Sequence, residues 1–249
     1  VVDAGWRPWI FVKVDTDEGI TGWGECSDGR QPLGVTGTIE DLKPILIGQD
    51  PCAFEMRFWD MLRLTRQSPS GIASKAMAGV ELALLDIKAK SLNISVVELF
   101  GGPTREKVRV YWSHCGTSRA RHSELLNTPP INSMSDITNL GKEVVSKGFT
   151  ALKTNIILPG DPASVWMGGF GGGKGTTDQY ITKNLLNHVE TLIGTFRDAV
   201  GDEVDINLDL NFNFKTEACL RIAKVLEKFD LLWLEIDMYQ PESIKQIKE

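Results

Sequence analysis

VDINLDLN (Val204 to Asn211) and LLWLE (Leu231 to Glu235) are two apolar, strand-like runs, and near the end of each stands a carboxylate, Asp209 and Glu235. Between them ACLRIAKVLEKF (Ala218 to Phe229) spaces Leu220, Ile222, Ala223, Val225, Leu226 and Phe229 as one face of a helix. A strand-helix-strand unit of this length predicts a right-handed parallel crossover, which delivers both carboxylates to the same edge of one sheet. Parallel α/β folds build their sites at that edge. Two acids meeting there beside Asn211 make hard-oxygen surroundings that suit a divalent cation such as Mg²⁺. The plainer alternative is that Asp209 caps a loop while Glu235 pairs with a surface lysine. Both readings stand at this point.

Outward from this unit, the chain divides near residue 107. Upstream, IFVKVDTDEGITGWGE holds two strand-like runs around the turn signal Asp17-Glu18-Gly19, followed by helical stretches at Thr38 to Leu46, Phe54 to Leu64 and Ile72 to Leu92. Strands first and helices afterwards predict an α+β unit over residues 1–107. After GGPTREK (Gly101 to Lys107) the order alternates. VRVYWSHCG reads as a strand, Asp136 to Lys147 as a helix, FTALKTN as a strand and Lys183 to Val200 as a helix. PESIKQIKE starts another helix, with Pro241 in its first turn. Four strand-helix units in succession predict a parallel α/β arrangement over residues 108–249.

Composition narrows the classes. The 249 residues are 42% hydrophobic and 24% charged, enough for one large domain or two smaller ones. A net charge of −6 and the lack of a basic run argue against nucleic acid as a partner. No apolar run reaches membrane-spanning length and no signal-like N-terminus is seen, so no membrane partner is expected. Cys26, Cys52, Cys115 and Cys219 are scattered without paired spacing and read as reduced thiols in a cytoplasmic protein.

AMAGVELALLDIKAKSLNISVVELFGG (Ala76 to Gly102) resembles a long signature of the mandelate racemase and muconate lactonizing branch of the enolase superfamily, through Ala76, Ala78, Gly79, Glu81, Ala83, Asp86, Lys90, Leu99 and Gly101. A second signature runs from Ile206 through Asp209, Asn211, Cys219 and Leu226 to Glu235, and departs from the family at Ile236-Asp237. TDEGITGWGE (Thr16 to Glu25) is similar to the family's capping-domain hairpin. An amphipathic core helix with small residues for close packing explains most of the Ala76 to Gly102 positions equally well.

The resemblance implies an α+β capping domain (1–107, its first strand missing) followed by the N-terminal half of a (β/α)₇β TIM-like barrel (108–249). A full barrel takes roughly 250 residues. The chain is therefore expected to stop halfway round, before the family's third metal ligand and its His-Asp dyad. The implied chemistry is abstraction of a proton next to a substrate carboxylate, with a Lys or His base and Mg²⁺ stabilising the ene-diolate. Asp209 and Glu235 are the implied metal ligands. Where many relatives have Lys-x-Lys, this chain has Lys153-Thr154-Asn155. Asn155 cannot take a proton, which leaves Lys153 as a charged neighbour of the substrate carboxylate or as a snorkelling barrel-end lysine.

His114 closes the first barrel strand and is a further catalytic candidate, although a single histidine is more often structural. His122 and His188 read as surface residues. Arg7, Arg30 and Asn211 are candidates for substrate binding. Gly168 to Lys174 superficially matches a phosphate-binding loop, but Gly175 stands where Ser or Thr is required. It reads instead as a lid-like insertion over the strand ends. Within the branch, dehydration of a sugar acid is the expected activity of the intact protein. The alternatives are racemisation or epimerisation of a carboxylate, or a truncated non-catalytic chain that persists as a homo-oligomer.

Overall fold

The computed structural model describes residues 1–3, 7–27, 32–170 and 179–249. The chain forms two compact units, Val1–Lys107 and Val108–Glu249. In the first, β1 (Val2–Asp3) pairs antiparallel with β2 (Pro8–Trp9), and β3 (Phe11–Asp15) with β4 (Thr21–Glu25). Gly19 turns the second hairpin at φ 79°, a left-handed backbone that glycine adopts without strain. Helices α1 (Pro32–Leu46), α2 (Phe54–Thr65), α3 (Ile72–Ser91) and the short α4 (Val96–Leu99) follow. α1 starts six residues before the predicted Thr38, because Val35 is drawn into the core and Pro32 suits a first helical turn. That core packs Ile10, Val12, Val35, Leu42, Met61, Val80 and Leu84 together.

The small residues of α3 have a steric cause. A Cβ on Gly24 would stand 2.0 Å from the carbonyl oxygen of Gly79, and one on Gly22 2.1 Å from that of Ala83. Helix backbone therefore lies directly on hairpin backbone, which only glycine on the strand side permits. Asp86 and Lys90 fasten the contact. The Asp86 carboxylate accepts the Trp23 backbone N–H at 2.9 Å, and the Lys90 ammonium donates to the Thr21 carbonyl at 2.8 Å.

The second unit holds α5 (Thr117–His122), α6 (Met134–Ser146), β5 (Ala151–Thr154), the antiparallel pair β6 (Ile157–Leu158) and β7 (Ser164–Val165), α7 (Lys183–Val200), β8 (Asp205–Asp209), α8 (Thr216–Leu226), β9 (Trp233–Glu235) and α9 (Pro241–Lys248). Strands β5, β8 and β9 lie side by side, all parallel. The predicted strand Val108 to Gly116 is reduced to one parallel bridge, Trp112 to Leu152, and Val108 and Val110 face solvent. The chain then turns at His114 (φ 50°) and Gly116 (φ 82°) into α5, a helix that the sequence pattern did not predict. α7 occupies the predicted span, capped by the Thr182 hydroxyl on the Leu185 N–H.

Period-2 alternation separates two faces of this sheet. Leu152, Ile206 and Leu208 are fully buried in a core that also contains Val189, Leu192 and Phe196 of α7 and Ile222 of α8. The other face carries Lys153, Asn207, Asp209, Trp233 and Glu235 in matching register. The Tyr111 ring, beside the Trp112 bridge, meets the Trp233 ring edge-on at 5.4 Å. In a flat sheet their backbones would stand about 14 Å apart, so the strands curl toward this polar face as barrel strands do.

Candidate functional site

Asp209 and Glu235 are register partners at the ends of adjacent parallel strands. The ladder runs on past them, with Leu210 N–H donating to the Glu235 carbonyl at 2.9 Å. Lys153, one strand over, sends its ammonium to Glu235 Oε2 at 2.7 Å and to Asp209 Oδ2 at 3.6 Å. One nitrogen serves both acids, which holds these two oxygens within about 6 Å of each other, a spacing that neighbouring ligands of a single hard cation reach by small side-chain movements. Lys153 and Asp209 are buried, while Glu235 is partly open.

The surroundings fix each group. Burial alone would lower the Lys153 ammonium's pKa. The hydrogen bond it donates to Glu235 and the charges of Asp209 and Glu235 outweigh it and hold Lys153 above the ordinary lysine value. It is therefore a cation here and not a proton acceptor. Asn211 sits in the left-handed region at φ 50°, which asparagine tolerates, and its backbone N–H folds back onto Asp209 Oδ1 at 2.8 Å. Its side-chain amide also donates to that oxygen. Asn155 is buried with both ends of its amide engaged. Nδ2 donates to the Asp209 carbonyl at 3.1 Å, and Oδ1 accepts from the Thr117 hydroxyl at 2.8 Å. Asn155 thus braces the strand end that carries Asp209.

In the sequence Asp237 reads only as a departure from the family pattern. Burial raises its pKa first, and the charges of Asp209 and Glu235 raise it further, with Lys153 offsetting part of the effect. Negative charge is in excess here, and with hard oxygen donors this fits a divalent cation held through Asp209 and Glu235. Among the described residues no three of His, Cys, Asp and Glu converge as a complete metal-binding group. The signal for Asp237 in the sequence was its period-2 spacing from Glu235.

The remaining candidates lie elsewhere or have other contacts. His114 is half-buried, its Nδ1 3.1 Å from the Ser113 hydroxyl. Arg7 belongs to the first unit, where its charge acts on Glu25. Arg30 and residues 171–178 of the Gly-rich stretch lie outside the described residues. His188 donates from Nε2 to the Ile157 carbonyl at 2.7 Å and ties α7 to β6. A cavity of about 880 Å³ opens between residues 119–132 and 161–163 and is lined by none of the carboxylate cluster.

Residues 4–101 match the mandelate racemase / muconate lactonizing enzyme N-terminal domain. The amino-terminal unit of this chain is such a domain. The resemblance carried by Gly79, Asp86 and Lys90 is thereby borne out, and so is the fold class: a capping domain followed by part of a TIM-like barrel. D-xylonate dehydratase of Haloferax volcanii is 29% identical over 239 residues, covering 95% of this chain and 52% of that protein. D-galactonate dehydratase of Ralstonia pickettii is 29% identical over 229 residues, covering 91% of this chain and 51% of that protein. A Burkholderia xenovorans structure named as an L-alanine-DL-glutamate epimerase, bound to magnesium and fumarate, superposes with a TM-score of 0.91. It is 38% identical, with 99% of this chain and 61% of that chain covered. The chain thus spans about half the length of the curated relatives it matches. No described helix is long and apolar enough to cross a membrane.

Proposed function

We propose that this sequence belongs to a Mg²⁺-dependent lyase that dehydrates a sugar acid, with residues 1–107 as the capping domain and 108–249 supplying the first strands of the barrel. The observation that carries this reading is the in-register Asp209–Glu235 pair bridged by the Lys153 ammonium. A cation on the two carboxylates would supply charge stabilisation to an ene-diolate formed next to the substrate carboxylate. Asn211 and Asn155 hold the Asp209 strand end so that its carboxylate needs little reorganisation. Lys153 places positive charge where negative charge develops on the substrate. The Burkholderia structure supports a second reading, epimerisation of a carboxylate substrate. Asn155 weighs against it, since neither end of its buried amide can accept a carbon-bound proton. The four free thiols favour a cytoplasmic location.

The test is a sugar-acid screen of the complete gene product with Mg²⁺, scored for water loss and for inversion at the α-carbon. Dehydration abolished by Lys153→Ala, and not improved by Asn155→Lys, is the expected result. Inversion without dehydration would replace this reading with the epimerase one. Full activity in Lys153→Ala would remove the assigned role of Lys153.

A further inference from the structure

Asn213 lies two residues beyond Asn211 and is 3% exposed, although asparagine in a loop ordinarily faces water. Its amide is used at both ends, and both partners lie in the segment after β7. Oδ1 accepts the Gly169 backbone N–H at 3.0 Å, and Nδ2 donates to the Trp166 carbonyl at 3.3 Å. Its own backbone N–H closes a turn on the Leu210 carbonyl at 3.2 Å. Gly169 touches this turn closely: a Cβ there would fall 2.0 Å from the Phe212 carbonyl oxygen and 2.5 Å from Asn213 Cα. The chain at Gln179 is tied to the same place. Gln179 Nε2 donates to the Phe212 carbonyl at 3.3 Å, and Lys215 N–H donates to the Gln179 carbonyl at 3.1 Å. The turn 210–213 therefore faces two ways. Its first residues bond the Asp209 carboxylate through Asn211, and its last hold the chain at Trp166–Gly169.

We propose that Asn213 is a positioning residue that couples the conformation of Trp166–Gly169 to that of the Asp209 carboxylate, through the turn Leu210–Asn213. Whatever orders one end of this unit stabilises the other by the same factor, since coupling between two sites is reciprocal. The link to cation binding rests on the metal reading above, but the mechanical coupling does not.

Amide hydrogen exchange and Mg²⁺ titration of the complete gene product test it. Asn213→Ala removes both side-chain bonds, and Gly169→Ala pushes the segment off the turn while leaving Asn213 intact. In both, exchange is expected to quicken roughly tenfold at the amide of position 169, as loss of one hydrogen bond allows, and also at Asn211, whose N–H bonds Asp209. Ile206 and Leu208 in β8 should keep their wild-type rates, which separates coupling from general destabilisation. Asn213→Asp keeps an acceptor for Gly169 and should restore its protection in part. Mg²⁺ affinity is expected to fall about five- to tenfold in Asn213→Ala and Gly169→Ala, at the lower end of the usual range of coupling between sites. If Asn211 exchange is unchanged in both variants, the coupling is refuted. If the wild type binds no Mg²⁺ while Asn211 still responds, the metal reading fails and the coupling stands.

Discussion

Among its described residues the unit Val1–Lys107 buries a single charged side chain, Arg57, and no uncharged polar one. The unit Val108–Glu249 buries Lys153 and Asp209, and with them Thr117, Thr154, Asn155, Asn207 and Asn213. The first unit is built as a stable body usually is, apolar inside, with the buried Arg57 paired to Asp60. The second has an apolar core between sheet and helices, and a polar face on the other side of the same strands. Burying polar groups costs free energy unless each is paired, so a fold that sets Lys153, Asn207 and Asp209 side by side on one face of its sheet is serving something other than its own stability. Asn207 makes the point. Its Oδ1 accepts the Trp233 N–H at 3.2 Å, while its buried Nδ2 has no partner among the described residues.

The sharpest way to break this contrast is to neutralise the polar face. Asp209→Asn and Glu235→Gln in the complete gene product should each lower turnover by about 10²–10³ and weaken Mg²⁺ binding, the usual scale for losing one electrostatic contact to a transition state. Calorimetry and a dehydration assay check this. Some thermal stability should be lost as well, since each change leaves the buried Lys153 ammonium short of a partner. Wild-type Mg²⁺ affinity in both variants would show that the polar face is not a metal site.

The matching test in the first unit changes stability and leaves chemistry alone. Gly24→Ala drives a Cβ into the Gly79 carbonyl at 2.0 Å, backbone against backbone, with no flexible side chain to yield. A loss of about 3 kcal/mol or more is expected by urea unfolding, since overpacking of this kind forces backbone shifts. Mg²⁺ affinity should be unchanged. A loss of under about 1 kcal/mol would mean that α3 rides further from the hairpin than these distances imply.

How far the sequence could be read follows the same division. The strands ending near Asp209 and Glu235 and the span of α7 were legible because period-2 and period-3.6 patterns are local. The packing role of Gly79 was legible only as a small residue in a helix. What it packs against, Gly24 and Cys26, lies more than fifty residues away. The first barrel strand was misread because Val108 and Val110 alternate as strand residues do, yet only Trp112 finds a pairing partner. The Lys153–Glu235 pair spans 82 residues and Asn213–Gly169 spans 44, so neither left a local trace. The candidate site was thus legible in its carboxylates and illegible in what holds them.

A smaller effect lies in acid. Arg119 grips Glu143 at 2.7 and 2.9 Å, and Lys147 reaches it at 2.9 Å. The Arg119 hydrogen bond foremost holds the Glu143 carboxyl down at about 2, against an ordinary 4.5. A depressed carboxyl contributes stability that is complete above the unfolded value and disappears as pH falls through the folded one. The second unit should therefore lose roughly 1–2 kcal/mol between about pH 4.5 and pH 2 on this account, discounted for the partial exposure of the pair. Denaturant unfolding across that window checks it, and Glu143→Gln should flatten the slope.

The least effect belongs to the charges that the first unit keeps outside. Lys43 and Glu40 meet at 2.7 Å on α1 with both side chains more than half exposed. By distance alone this pair equals Lys153 and Glu235, also at 2.7 Å. Solvent separates the two cases. Around Lys43 and Glu40 water screens the attraction and hydrates either charge left alone, and the two long side chains lose rotamer freedom by staying together. A double-mutant cycle with Glu40→Gln and Lys43→Met should give a coupling of no more than about 0.5 kcal/mol, shrinking further in salt. The same cycle on Lys153→Met and Glu235→Gln should exceed it several-fold, because removing either partner leaves the other charge poorly hydrated beside Asp209. Equal couplings at the two sites would mean that the polar face of the sheet is as wet as the outside of α1. The contrast between the two units would then be one of position only and not of physics.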